Sequence, residues 1–217
     1  MNRNMRKFTY ALILLISLMW SGEMAAQAFK YPEYPDYDKI DVRFQGSRPT
    51  ITDFATAFLD YIQREEDFYV NVYEAWKRYL QKKTLGDNVN VTVDEKNGYM
   101  RYEKINTEEN DTIVLEMCFW NCADGKQKLV CANAIWMLDG DYGSTAGTTF
   151  LVYDNAKRKM RFILPEDIGA LYDGDGLSVF FLPRKGKNIR VSAAGGGERW
   201  NEVLIWDGYQ FSSKKVP

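Results

Sequence analysis

The chain has 217 residues, 46% of them hydrophobic, 15% aromatic and 27% charged, the balance of a folded globular protein and not of a disordered one. A formal charge of −2 gives no footprint for nucleic acid. The absence of histidine excludes Ser-His-Asp and Cys-His catalysis, HExxH zinc sites and histidine proton switches.

The N-terminus reads as an export signal. Arg3, Arg6 and Lys7 precede a largely apolar run from Phe8 to Trp20, and Ala25-Ala26-Gln27-Ala28 offers small-x-small cleavage after Ala26 or Ala28. As a helix the run spans roughly 20 Å, short of the roughly 30 Å hydrocarbon core. The sequence therefore predicts a signal peptide over residues 1–28, a periplasmic or secreted protein, and no membrane span after cleavage. Residues 29–48 hold Tyr31-Pro32-Glu33-Tyr34-Pro35-Asp36-Tyr37-Asp38, where each proline holds its predecessor extended, so this stretch is expected to be a strap or linker.

A single domain is expected over 49–217, opening on helices. Thr50 and Asp53 have capping-box spacing. Ile51, Phe54, Ala55, Phe58, Leu59 and Ile62 keep one helical stripe. After the polar break Gln63–Asp67, the stripe resumes at Phe68, Val72, Ala75, Trp76, Tyr79 and Leu80, with Gly86 as the expected stop. From Val89 the grammar becomes strand and turn. Hairpins are predicted around Glu95–Gly98, Asp124-Gly125, Asn155–Arg158, Lys185–Lys187 and Asp207-Gly208. The fold class is α+β: an N-terminal helical pair on a curved, mostly antiparallel multi-hairpin sheet, with a β-barrel carrying helices at one end as the alternative.

A two-residue turn at Asp124-Gly125 sets Cys118 opposite Cys131, at a position where side chains of the two strands approach most closely. These two cysteines are the disulfide candidates, and Cys122 is left over. Trp120 faces Leu129 and Phe119 faces Val130, so both faces of this hairpin are apolar and it is expected at the centre, covered on both sides.

The remaining candidates each have a plain structural reading. Asp139-Gly140-Asp141 and Asp173-Gly174-Asp175 look like calcium-loop openings, yet Phe150 and Arg184 stand where the bidentate acid belongs. No metal or other cofactor is expected. Glu65, Glu66, Asp67, Glu108, Glu109, Glu166 and Asp167 are the acids a histidine-free glycosidase would draw on, but they lie in polar runs. Gly195-Gly196-Gly197 lacks the Lys-Ser/Thr of a phosphate loop. Lys157, Arg158, Lys159, Arg184, Lys185 and Lys187 gather at hairpin tips, where charge ordinarily serves solvation. The compositional excess is aromatic, and Tyr142, Tyr172, Trp200, Trp206 and Tyr209 lie beside Asp-, Asn- and Gly-rich loops, the setting in which rings stack on sugars.

The stretch Asp94–Tyr99, then Met117–Asn121 with Asp124-Gly125-Lys126, Tyr153-Asp154, Leu182–Gly186 and Trp206-Asp207-Gly208 resembles uncharacterised secreted proteins of Bacteroidota. The resemblance covers residues 50–212, implies export, and brings no functional residue with it. It also implies that Asp111-Thr112-Ile113 matches the O-glycosylation motif of such proteins. The functional expectation is a non-catalytic exported binding protein, with glycan as its ligand. The alternatives are a carboxylate-pair hydrolase and a protein–protein adaptor whose partner is an envelope protein.

Overall fold

The computed structural model describes residues 30–35, 37–64, 67–138, 141–170, 178–193 and 202–216. Among the described residues there are two α-helices and eleven strands: α1 (Ile51–Ile62), α2 (Asp67–Leu80), β1 (Lys39–Asp41), β2 (Val89–Asp94), β3 (Tyr99–Asn106), β4 (Asp111–Asn121), β5 (Gln127–Leu138), β6 (Asp141–Asp154), β7 (Lys159–Ile163), β8 (Ser178–Phe181), β9 (Ile189–Ala193), β10 (Glu202–Trp206) and β11 (Phe211–Lys215). They form an α+β fold with two antiparallel sheets. The larger has the order β1-β7-β6-β5-β4-β3-β2, the smaller β11-β10-β9-β8. Neither sheet closes, so the barrel alternative is not what forms.

Local chemistry explains most of the elements. At α1 the Asp53 carboxylate accepts hydrogen bonds from the Thr50 N–H (2.8 Å) and hydroxyl (2.9 Å). Ile51, Phe54, Ala55, Phe58 and Leu59 are buried along one stripe. Helix α2 stops earlier than Gly86: the Lys83 N–H donates to the Arg78 carbonyl and the Lys82 N–H to that of Tyr79, a Schellman ending with Lys82 at φ 54°. Leu80, expected in the stripe, is 43% exposed at that end. In the turn before β3, Gly98 has φ 66° and a Cβ there would come within 2.7 Å of the Phe119 ring. Only glycine fits both demands.

The β4–β5 hairpin lies inside the larger sheet, with every residue from Val114 to Cys118 buried. Its odd-numbered β4 side chains, Leu115 and Met117, share a core with Phe54, Phe58, Leu59 and Trp76 of the helices. Its even-numbered ones face the second sheet. Val114 and Ile135 pack on Val179 and Phe181, and Trp120 lies 6.1 Å from Trp206 and 5.4 Å from Phe211, ring centre to ring centre. Asn133, with no exposed surface, donates to the Phe180 carbonyl (2.7 Å), and the Trp120 indole donates to that of Lys187 (2.8 Å). The chain leaves the larger sheet through the 3-10 turn Pro165–Ile168, which ends on Gly169 at φ 63°. A Cβ on Gly169 would sit 2.3 Å from the Phe211 carbonyl oxygen, so this turn presses directly on β11. Thr112 is half-buried within β4, paired with Ile105 and Met137 on its two sides.

The disulfide expectation is corrected. Cys118 does stand opposite Cys131, but all three cysteines are free. The reason is the phase of the ladder. The loop spans residues 123–126, and the Cys122 N–H donates to the Gln127 carbonyl (3.1 Å), which makes 122 and 127 a hydrogen-bonded pair. Pair types alternate along an antiparallel ladder, so 118 and 131 form a hydrogen-bonded pair too. Across β4, the Phe119 N–H donates to Gly98 (3.3 Å), which turns the Cys118 backbone groups towards β5 and gives the same phase. Side chains at such a pair stand farther apart than at the neighbouring type. Burial pushes both thiols well above the usual range.

Candidate ligand-binding cleft

Tyr31, Tyr34 and β1 are tied to the domain. Tyr31 has no exposed surface, and its hydroxyl donates to the Tyr209 carbonyl (2.7 Å). Arg161 donates back to the Tyr31 carbonyl (3.1 Å). Tyr34 donates to Asp167 (2.6 Å), a bond that, with some burial, holds its phenol up at about 12. Beyond this anchor β1 pairs with β7, Ile40 opposite Met160.

Between β1 and the two helices lies a cleft of about 520 Å³. One side of its lining carries Lys39, Asp41 and Arg43, the other Asp53, Asp60 and Arg64, three cations and three anions in all, with Lys39 already paired to Glu33 (3.7 Å) and Asp41 to Lys159 (3.1 Å). None of the ion pairs among the described residues engages Arg43, Asp60 or Arg64. Thr56, Gln63, Tyr61 and Tyr73 supply uncharged polar groups. A second open depression of about 580 Å³, shared at Arg43 and Asp53, continues the cleft past Phe44 and Glu95.

Rings lead into this cleft. Tyr34 and Tyr37 are 5.6 Å apart, Tyr37 and Phe162 5.9 Å, and Phe162 and Tyr61 5.6 Å, with Tyr61 itself on the cleft wall. Tyr37 is 42% exposed and the other three are half-buried, so the row presents ring surface to solvent while resting on the core. The spacing of the strap produces it: Pro35 stands in a turn closed by the Tyr37 N–H donating to the Tyr34 carbonyl (3.3 Å), which brings the two tyrosines together, and β1 then fixes the strap beside Phe162.

No protein family, curated protein or solved structure matches this chain. The site is therefore read from its own geometry.

Three of the aromatic residues singled out in the sequence fall among the described residues. Trp206 is 5% exposed, in contact with Phe211 at 5.0 Å in the inter-sheet core. Tyr209 is half-buried in the β10–β11 loop, where its carbonyl receives Tyr31. Tyr142 pairs with Met137 in the β5–β6 ladder. Tyr172 and Trp200 lie outside the described residues, as do Glu65, Glu66, the Asp173–Asp175 segment and the glycine run at 195–197. Among the other acids, Glu108 and Glu109 are exposed in the β3–β4 turn, and Asp167 is held by Tyr34. Among the described residues no group of three metal-ligating side chains is assembled, and no helix is long and apolar enough to cross a membrane.

Sequence reasoning missed Glu116. It is the one charged residue in the apolar run Ile113–Trp120, 5% exposed and directed at the second sheet. Its carboxylate accepts from the Tyr99 hydroxyl (2.6 Å), Arg101 (3.0 Å) and the Leu182 N–H (3.1 Å). Burial, then the Glu116 charge, pushes the Tyr99 phenol up. Burial pulls the Arg101 guanidinium down, but its bonds to Glu103 and Glu116 outweigh that and leave it raised. The network ties the larger sheet to the backbone that follows β8.

Proposed function

We propose that this is an exported, non-catalytic glycan-binding protein whose ligand lies along Tyr34, Tyr37, Phe162 and Tyr61 and ends in the cleft beside β1. The observation that carries the reading is the exposed row of rings running into a polar cleft. Sugar rings offer apolar C–H faces that stack on aromatic surface, while their hydroxyls take bonds from carboxylates, guanidinium and amide groups. Balanced lining charge fits a neutral polyhydroxylated ligand better than a strongly charged one. Export rests on the basic, apolar and small-residue succession of the first 28 residues.

The test is titration calorimetry against soluble neutral polysaccharides and peptidoglycan fragments, with Tyr37→Ala as the diagnostic variant. Loss of one stacked ring should weaken binding about tenfold, since an aromatic contact contributes roughly 0.5–1.5 kcal/mol. Tyr37 is exposed, so the melting temperature should stay at the wild-type value. A panel without heat of binding, or a ligand bound by Tyr37→Ala and Arg64→Ala as tightly as by wild type, overturns the site. N-terminal sequencing of protein recovered outside the cytoplasm should begin at Gln27 or Phe29, and an intact Met1 there would overturn the export reading.

A further inference from the structure

Among the described residues four strand edges end the two sheets, and three of them are guarded. β1 is three residues long and carries Lys39 and Asp41. β11 ends in Lys214 and Lys215, both exposed. The open side of β8 meets the larger sheet, where Asn133 donates to the Phe180 carbonyl (2.7 Å) and Glu116 accepts from the Leu182 N–H (3.1 Å). Short length, charge and cover are the ordinary means by which proteins keep such edges from pairing. The fourth edge is β2. From Val89 to Val93 it reads Val-Asn-Val-Thr-Val, without charge, proline or register shift, and no described strand lies beyond it.

The ladder shows which groups this edge offers. The Ile105 N–H donates to the Asn88 carbonyl (3.0 Å), so Asn90, Thr92 and Asp94 direct their backbone bonds to β3. Val91 and Val93 turn theirs outward, where no described residue bonds them. The outward N–H of Val89 is already taken by the Gly86 carbonyl (3.2 Å).

We propose that this edge pairs with the same edge of a second copy of the chain, antiparallel about a two-fold axis at Thr92. The open groups select the register. Val91 opposite the partner's Val93, and Val93 opposite the partner's Val91, use every outward group of both valines in four backbone hydrogen bonds. An axis at Val91 would instead need the engaged N–H of Val89. Thr92 then stands against the partner's Thr92, a favourable cross-strand pair, and Asn90 against the partner's Asp94, so no like charges are opposed. The edge is thus its own complement in hydrogen bonds, side-chain pairs and charge, as a two-fold contact requires. The paired stretch Asn90–Asp94 is short, so the dimer is a weak one that forms as concentration rises.

The experiment is sedimentation velocity of the purified protein up to millimolar concentration, with two substitutions at Thr92. Wild type should pass from monomer to dimer as concentration rises. Thr92→Glu sets like charges opposite each other on the axis while facing Arg101 within its own subunit. It should stay monomeric and keep the wild-type melting temperature. Thr92→Cys tests the register, because at a non-hydrogen-bonded pair the two Cα atoms stand about 4.5 Å apart, within reach of a disulfide. Mild oxidation should link that dimer, whereas Asn90→Cys, opposite the partner's Asp94, should not link. Native Cys118, Cys122 and Cys131 are buried and stay out of the reaction. A wild-type monomer at every concentration would overturn the proposal and leave the edge to a strand of some other protein. A dimer that Thr92→Glu leaves intact, or one that Asn90→Cys links as readily as Thr92→Cys, would overturn it too.

Discussion

Replacing Tyr31 by alanine separates a strap that belongs to the domain from a linker that merely precedes it. The side chain has no exposed surface, so its removal leaves a cavity the size of a phenol under β7 and the β10–β11 loop. Truncation of a fully buried aromatic costs about 3–5 kcal/mol. At about 2–4 °C per kcal/mol for a domain of this size, the melting temperature should fall by roughly 6–20 °C. Tyr31→Phe keeps the ring and removes only the hydroxyl that reaches the Tyr209 carbonyl, at a cost of about 1–2 kcal/mol, or roughly 2–8 °C. Differential scanning calorimetry of both variants resolves the two contributions. An unchanged melting point for Tyr31→Ala would refute the reasoning, because it would mean that the strap contributes nothing to the folded domain.

Three further outcomes follow from the geometry. Denatured, unreduced protein should take up an alkyl group at each of Cys118, Cys122 and Cys131, and a mass showing a single modified cysteine would restore the disulfide. Glu116→Ala should destabilise by about 3 kcal/mol, the low end for breaking a buried ion pair, because Glu103 still faces Arg101 (2.7 Å); a double change of Glu116→Leu with Arg101→Met should recover part of that loss in chemical denaturation. The Tyr34 phenol, held up by Asp167, should ionise near 12 in the folded protein against about 10 when unfolded, so its contact with Asp167 is intact below pH 10 and is lost as pH climbs through 12. The ultraviolet difference between wild type and Tyr34→Phe would show phenolate appearing already near pH 10 if that bond were absent.

The features legible in the sequence are those that local chemistry decides. The Thr50–Asp53 cap, the apolar stripe of α1 and the positions of the hairpins all rest on residues a few places apart. The central place of β4 and β5 was legible as well, because both faces of that hairpin carry large apolar side chains. What local pattern could not carry is the sum of distant contacts. Nothing within β8 to β11 says that these strands leave the first sheet, since a hairpin pairs in the same way whichever sheet it joins. The phase of the cysteine ladder turned on whether the loop closes at 123 and 126 or at 122 and 127, a difference of one residue that moves every pair from one type to the other. The cleft fared similarly. Its walls come from β1, α1 and α2, and its row of rings depends on Phe162, far along the chain. Glu116 was missed although it left a signal, a lone charge in an apolar strand.

Tyr31 binds a carbonyl 178 positions away, Tyr34 a carboxylate 133 away, and the Tyr31 carbonyl takes its bond from a guanidinium 130 away. A chain that emerges N-terminus first has nothing for these residues to hold until nearly all of it has appeared. Closing loops of such length costs more entropy than closing the neighbouring hairpins, so the strap is expected to settle after them. Throughout synthesis its tyrosines stay accessible, and on the export reading proposed above an enzyme that acts just upstream of Tyr31 has that whole interval in which to work. Once the β10–β11 loop arrives, the same backbone is gripped from both sides and the interval ends.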